Sequence, residues 1–216
     1  MTLNELFIFR GDGYGVKSAL DTQRKFCEYD IFRVFLRLGE KGKLDRKTLS
    51  RICDIGEGSV RTILNILEKR KIVEKRRKGN VLKEKGKAYF QRVATIMSPI
   101  KRVKYDVFKD NLPCLGCVVR RYEKDKIASL YKARDYAIRT GCNSAMVLIR
   151  TREHIRIPYV RKWDFDELKE EFETKRGDLI VLASAEKTRI SENGIIAICT
   201  YLSDELNKIF ERICKL

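Results

Sequence analysis

Three amphipathic periodicities between Cys27 and Leu67, each cut off sharply from the next, constrain this chain more than any other feature. From Cys27 onward apolar residues fall at Ile31, Val34, Phe35 and Leu38, the i, i+3, i+4, i+7 stripe of a helix. The polar run GEKGK (Gly39–Lys43) breaks it. A second short helix is predicted from Arg46 to Cys53, with Asp45 as N-cap and Leu49 and Ile52 turned inward. The turn DIGEG follows. A third helix then carries Val60, Ile63, Leu64 and Leu67 on one face, and Gly56 suits its N-cap, where the backbone is not helical.

Two short helices joined by a glycine-containing turn form the helix-turn-helix pattern. Downstream, Ile72–Arg77 reads as a strand, Arg77–Asn80 as a turn and Val81-Leu82 as the start of a return strand. The segment EKGKAYFQRVATI is a fourth helix, with Tyr89, Val93 and Ile96 on one stripe. Helix, helix, helix, hairpin, helix is the order of a winged helix, expected over residues 26–97.

With its apolar face inward, the third helix presents Ser59, Arg61, Thr62, Asn65 and Lys69. Arginine forks onto guanine, asparagine pairs with adenine, and hydroxyls serve bases or phosphates. Recognition helices contact base edges mainly near their amino terminus, here Gly58, Ser59, Arg61 and Thr62. Gly58 would let the backbone come close. Lys75, Arg76, Arg77 and Lys78 on the hairpin would neutralise phosphates, adding affinity and salt dependence but little sequence information. A solvated face on a protein-docking module is the plainer alternative. Charge weighs against it: the chain carries +17, and residues 26–97 hold 19 bases against 9 acids.

The stretch SRICDIGEGSVRTILNILEKRKIVEKRRKGNVLKEKGKAYF resembles archaeal winged-helix transcription regulators, chiefly through GEGSVRTIL and LKEKGK. With RGDGYG ahead of the first helix and the carboxy-terminal half, the arrangement is similar to an uncharacterised archaeal two-domain family of about this length. The resemblance implies DNA binding. In its wing pattern a His often precedes the return strand; Asn80 stands there instead, so any contact made by that His is altered here.

The remaining chain reads differently. Residues 1–25 are an amino-terminal extension whose start lacks the basic and long apolar regions of a signal peptide. Its RGDGYG has a dinucleotide-site look but opens no helix after a clear strand. Pro99 and Pro113 bracket a basic linker, residues 98–113, with room for one strand. Residues 114–216 are expected to form a mixed α/β domain of about four or five strands, making the whole chain α+β. The expected strands are CVVRRY, SAMVLIR, HIRIPYV and LIVLAS. The expected helices are Lys126–Arg139, FDELKEEFETK after an Asp164 cap, ENGIIAICTYL, and Asp204–Lys215. The longest apolar run, Leu179–Ala185, is strand-sized, so no membrane span is expected.

Chemistry is sparse. Seven cysteines are scattered, as suits a reducing cytoplasm, and only Cys114 and Cys117 have metal-ligand spacing, without a second pair. His154 is the sole histidine and reads as a surface or core residue. Phosphate-loop and nucleophile-elbow motifs are missing from the sequence. No enzyme, cofactor or metal is therefore expected. Arg134, Asp135 and Arg139 lie beside a strand edge and would suit a small anionic effector. The plainer reading is an Asp135–Arg139 pair within one helix. Leu202, Leu206, Ile209, Phe210 and Ile213 form a stripe to be buried within its own domain or in a homodimer. The expectation is a regulator that reads double-stranded DNA, with a carboxy-terminal domain that dimerises and senses a ligand. An enzyme on a phosphorylated metabolite and a general nucleic-acid-binding protein are the alternatives.

Overall fold

A computed structural model describes residues 25–160 and 163–215. The RGDGYG motif and the signal-peptide expectation lie outside these residues. Within them the chain forms two compact units, one of residues 25–95 and 205–215, the other of residues 96–204.

The first unit begins with α1 (Glu28–Lys41), which buries Ile31, Phe32, Val34, Phe35 and Leu38. Asp30 closes its amino end by accepting the Cys27 N–H at 2.9 Å. The same buried carboxylate pairs with buried Arg33 at 3.0 Å. Next comes α2 (Arg46–Cys53), capped by Asp45, which accepts the Thr48 N–H at 2.9 Å. After a left-handed Asp54, α3 (Glu57–Lys69) starts at Gly56 and buries Val60, Ile63, Leu64 and Leu67.

Strands β1 (Val73–Arg76) and β2 (Gly79–Leu82) form an antiparallel hairpin, and α4 (Glu84–Ile96) follows. The return strand starts two residues earlier than expected. Gly79, at φ +136°, tightens the loop to Arg77-Lys78 and pairs with Arg76. Asn80 thus enters the ladder: its backbone exchanges hydrogen bonds with Leu44 at 2.7 and 3.1 Å, and its Nδ2 donates to the Leu44 carbonyl at 3.1 Å.

The last helix, α8 (Asp204–Cys214), belongs to this unit from Glu205 onward, not to the domain before it in sequence. Phe210 packs on Tyr29 and Phe32, ring centroids 5.4 Å away in each case. Leu206, Ile209 and Ile213 are buried, and Arg92 pairs with Glu205 at 2.7 Å. Most of the apolar stripe expected to serve a carboxy-terminal core or a dimer is therefore covered by the amino-terminal unit. Leu202 alone stays in the second unit.

The second unit is an antiparallel sheet in the order β3-β4-β7-β5-β6: β3 (Lys101–Arg102), β4 (Cys114–Val119), β5 (Ser144–Arg150), β6 (Ile155–Arg156) and β7 (Leu179–Ser184). Helices α5 (Leu130–Arg139) and α7 (Thr188–Leu202) pack on the sheet. Close approach of helix to helix needs small residues: a Cβ on Gly194 of α7 would lie 2.3 Å from Cys142 Sγ and 3.2 Å from Ala137 Cβ. A core of Val103, Val107, Phe108, Leu148, Ile155, Phe165, Leu168, Phe172 and Leu182 covers strands and loops alike.

Helix and sheet in two units agree with the α+β expectation. Several boundaries differ. Residues 98–113 are not a free linker, because Lys101 and Arg102 pair with β4, and Val103, Val107 and Phe108 enter the core. The helix expected from Lys126 begins as a 3-10 turn, Lys124–Ser129. FDELKEEFETK yields only α6 (Leu168–Glu171), although Phe165, Leu168 and Phe172 keep the i, i+3, i+7 spacing of a helix face and all enter one core. Asp164 caps no helix; it bridges to Arg156. HIRIPYV keeps just two strand residues, Ile155 and Arg156. Among the described residues no helix is long and apolar enough to cross a membrane.

Candidate nucleic-acid interface

Helix α3 and the hairpin meet along a groove of about 580 Å³. It is lined by Arg46 and Lys47 of α2, Glu57, Arg61 and Leu64 of α3, Lys75, Arg76, Gly79 and Asn80 of the hairpin, and Asp45. Five cations face two carboxylates, and both carboxylates are engaged. Glu57 pairs with Arg46 at 3.0 Å, while the Thr48 N–H and hydroxyl hold Asp45 below the usual carboxylate range. The surplus is positive, as a phosphate-lined partner requires.

Of the residues read from the sequence, Arg61, Lys75 and Arg76 line this groove. Arg61 is exposed and makes no ion pair among the described residues. Lys75 Nζ is held by Asn65 Oδ1 at 2.8 Å and by Glu68 Oε2 at 2.6 Å. Arg76 pairs with Glu74 at 3.1 Å and draws that carboxyl down. Arg77 and Lys78 are exposed in the hairpin loop, and Lys69 is exposed at the far end of α3. Thr62 is exposed but returns its hydroxyl to the Gly58 carbonyl at 3.2 Å, and Ser59 is half-buried. A Cβ built on Gly58 would meet nothing within 4 Å, so this glycine is not required by internal packing.

Sequence reasoning missed Arg46 and Lys47. Both lie just after the Asp45 cap, at the start of α2, whose open end faces the same groove. The cap itself was the available signal, because it places the next two side chains at the helix start. Asn80, where the resemblance expects a His, is 7% exposed and committed to Leu44.

The proposed effector residues are not brought together as a site. Arg134 Nη2 lies 3.8 Å from Asp135, while the Arg139 guanidinium sits 5.9 Å from the Tyr136 ring centroid. The Asp135–Arg139 pair is not formed. Strand alternation also separates Cys114 from Cys117: the first joins the core with Phe108 and Leu148, the second lies 3.6 Å from Cys199 Sγ. Burial pushes the Cys114 thiol up to about 12. His154 is the polar surprise, its Nδ1 2.8 Å from Asp166 and 4.0 Å from Asp164. Potential ligand atoms of these three residues lie within 4.8 Å of one another, but Lys169 already occupies Asp166 at 2.8 Å.

Two families match the chain, one on each unit. Residues 30–88 match the family described as PH0730-like, N-terminal domain. Residues 114–202 match a domain of unknown function, DUF4443. Among solved structures, the chain is similar to the hypothetical protein PH0730 from Pyrococcus horikoshii OT3, with 26% identity and a TM-score of 0.68. That likeness covers 86% of this chain and 100% of the archaeal one. No curated protein matches the sequence. The matched segments fall within the two compact units and leave α8 outside both.

Proposed function

We propose that the amino-terminal unit is a winged helix that binds double-stranded DNA and that the chain is a transcription regulator. The observation that carries this reading is the groove between the start of α3 and the hairpin, with Arg46, Lys47, Arg61, Lys75 and Arg76 along it. A helix entering the major groove offers base edges to its first turns and phosphates to the elements on either side. Arg61, exposed and without an ion-pair partner, is the base reader; Lys75, Arg76, Arg77 and Lys78 serve one phosphate strand, and Arg46 and Lys47 the other. The carboxy-terminal domain serves regulation, and a homodimer reading two half-sites is the expected assembly.

The test is the salt dependence of duplex DNA binding by the intact chain. Replacing Arg77 and Lys78 by alanine should weaken binding to every sequence alike and flatten the logarithmic salt slope by about two. An unchanged slope would remove the hairpin from the interface.

A further inference from the structure

A second concentration of cations occupies the β5–β6 end of the other unit. Two cavities meet there at Arg150. One, of about 590 Å³, is lined by Arg120, Arg150, Lys169, Lys175 and Phe172 among others. Its neighbour, of about 490 Å³, is lined by Arg150, Arg152, Arg156 and Arg176 with Glu153. None of the five arginines makes an ion pair among the described residues. The acids nearby are few, and Asp178 already accepts the Lys175 N–H at 2.8 Å.

The decisive feature is two donors without acceptors. Among the described residues Arg150 Nη1 and Arg156 Nε are buried and have no hydrogen-bond partner, a state that Arg70 Nη1 and Arg134 Nε share but without an adjoining pair of cation-lined cavities. A guanidinium N–H withdrawn from water normally finds an acceptor, because leaving it unpaired is costly. Nothing in the fold requires these arginines to be loose. The Arg150 backbone is locked from both sides, its N–H donating to the Asp178 carbonyl at 2.8 Å and its carbonyl accepting from Gly177 at 2.7 Å. Arg156 is fixed in β6 by pairing with Ile149. The two forks leave opposite faces of the sheet, because Arg150 stands opposite Ile155 and Arg156 opposite Ile149, so each offers its spare donor to an oxyanion of its own.

We propose that the first of these cavities binds a small phosphate-bearing ligand, with Arg150 supplying the fork and Arg120 and Lys175 the further positive charge. Cavities of this size hold small molecules. Concave walls with buried donors suit a compact ligand better than the backbone of a duplex, which needs an open surface. The site is separate from Arg134, Asp135 and Arg139 and independent of the DNA-binding reading.

Inorganic pyrophosphate is the probe, titrated calorimetrically into the full chain with orthophosphate as comparison. Saturable one-to-one binding is expected, tighter for pyrophosphate than for orthophosphate. Arg150→Ala and Arg120→Ala should each weaken it about tenfold or more, and Arg150→Lys, which keeps the charge but loses the fork, should also weaken it. Arg61→Ala should bind pyrophosphate as the parent does. Thermal unfolding of each variant without ligand checks that the fold survives. The proposal is overturned if pyrophosphate shows no saturable binding, or binds Arg150→Ala and Arg120→Ala unchanged. It is equally overturned if Arg150→Ala weakens DNA binding while pyrophosphate does not bind.

Discussion

Lys75 of the hairpin donates to Asn65 of α3 at 2.8 Å, and Glu68 one helical turn further on shares the same ammonium at 2.6 Å. A residue read as a phosphate contact and one read as a base contact are therefore tied together in the unbound protein. Under the proposed reading both give up this exposed network when DNA binds, and Glu68 opposes the exchange.

Glu68→Gln should accordingly strengthen duplex binding and steepen the salt slope by about one, as Lys75 becomes available to phosphate. The pair is surface-exposed, so folding stability should change by less than about 1 kcal/mol. Fluorescence anisotropy across a salt series reads the slope; a flatter slope in the variant would contradict the assignment of Lys75.

Gly58→Ala separates folding from recognition. Open space surrounds the position, and alanine suits a helix better than glycine, so stability should rise by about 0.5–1 kcal/mol. On the proposed reading DNA affinity should fall, because the added methyl group would stand where the recognition helix comes close to the duplex. Increased stability with unchanged DNA affinity would place the contact elsewhere on α3.

Asn80→Ala should act in the opposite sense. The side chain is nearly buried and spent on the Leu44 carbonyl, so the change should cost roughly 1–2 kcal/mol of stability and leave the salt slope as it is. Urea unfolding together with the salt series would detect either departure.

Phe210→Ala tests the return of α8 to the amino-terminal unit. Losing a ring packed on Tyr29 and Phe32 should cost about 3–5 kcal/mol there. Hydrogen exchange should accelerate in α1, while Trp163, the single tryptophan and a residue of the other unit, reports an unshifted transition. Acceleration confined to residues 114–202 would contradict the packing.

Acid should loosen the β6–α6 region. Burial works against the charge of Asp166, but Lys169, the Ile155 N–H and His154 outweigh it and hold the carboxyl at about 2. A carboxyl depressed in the folded state contributes stability above its unfolded value near 4, and the contribution disappears as pH falls through about 2. Asp166→Asn should lower stability at neutral pH and flatten the acid limb followed by Trp163 fluorescence between about pH 4 and 2.

The amino-terminal unit was legible because its helices are amphipathic, so Val60, Ile63, Leu64 and Leu67 declare both the helix and its inward face. Periodicity does not say which core receives a stripe. Leu206, Ile209 and Phe210 would read alike packed on neighbouring strands, on a second copy, or within the amino-terminal unit, where they are found and where Phe210 meets Tyr29 and Phe32 of α1. The supposed linker was misread because Lys101, Arg102 and Lys104 look solvated, whereas Val103 between them points inward. The arginine cavities were invisible for a related reason. Arg120 and Arg150 in one cavity, and Arg150, Arg156 and Arg176 in its neighbour, come from four separate segments that meet only when the antiparallel sheet brings their ends together. Arg61, in contrast, sits in one short helix and could be read directly.

Selection of random duplex DNA by the purified chain, run in parallel with Arg61→Ala, tests DNA recognition most directly. Enrichment of a two-fold symmetric motif is expected, with one position in each half-site relaxed in the variant and affinity for the parent motif lower by about 1–3 kcal/mol. Binding without any enriched motif, or an identical motif from both proteins, would contradict base reading by Arg61 and with it the assignment of α3 as the recognition helix.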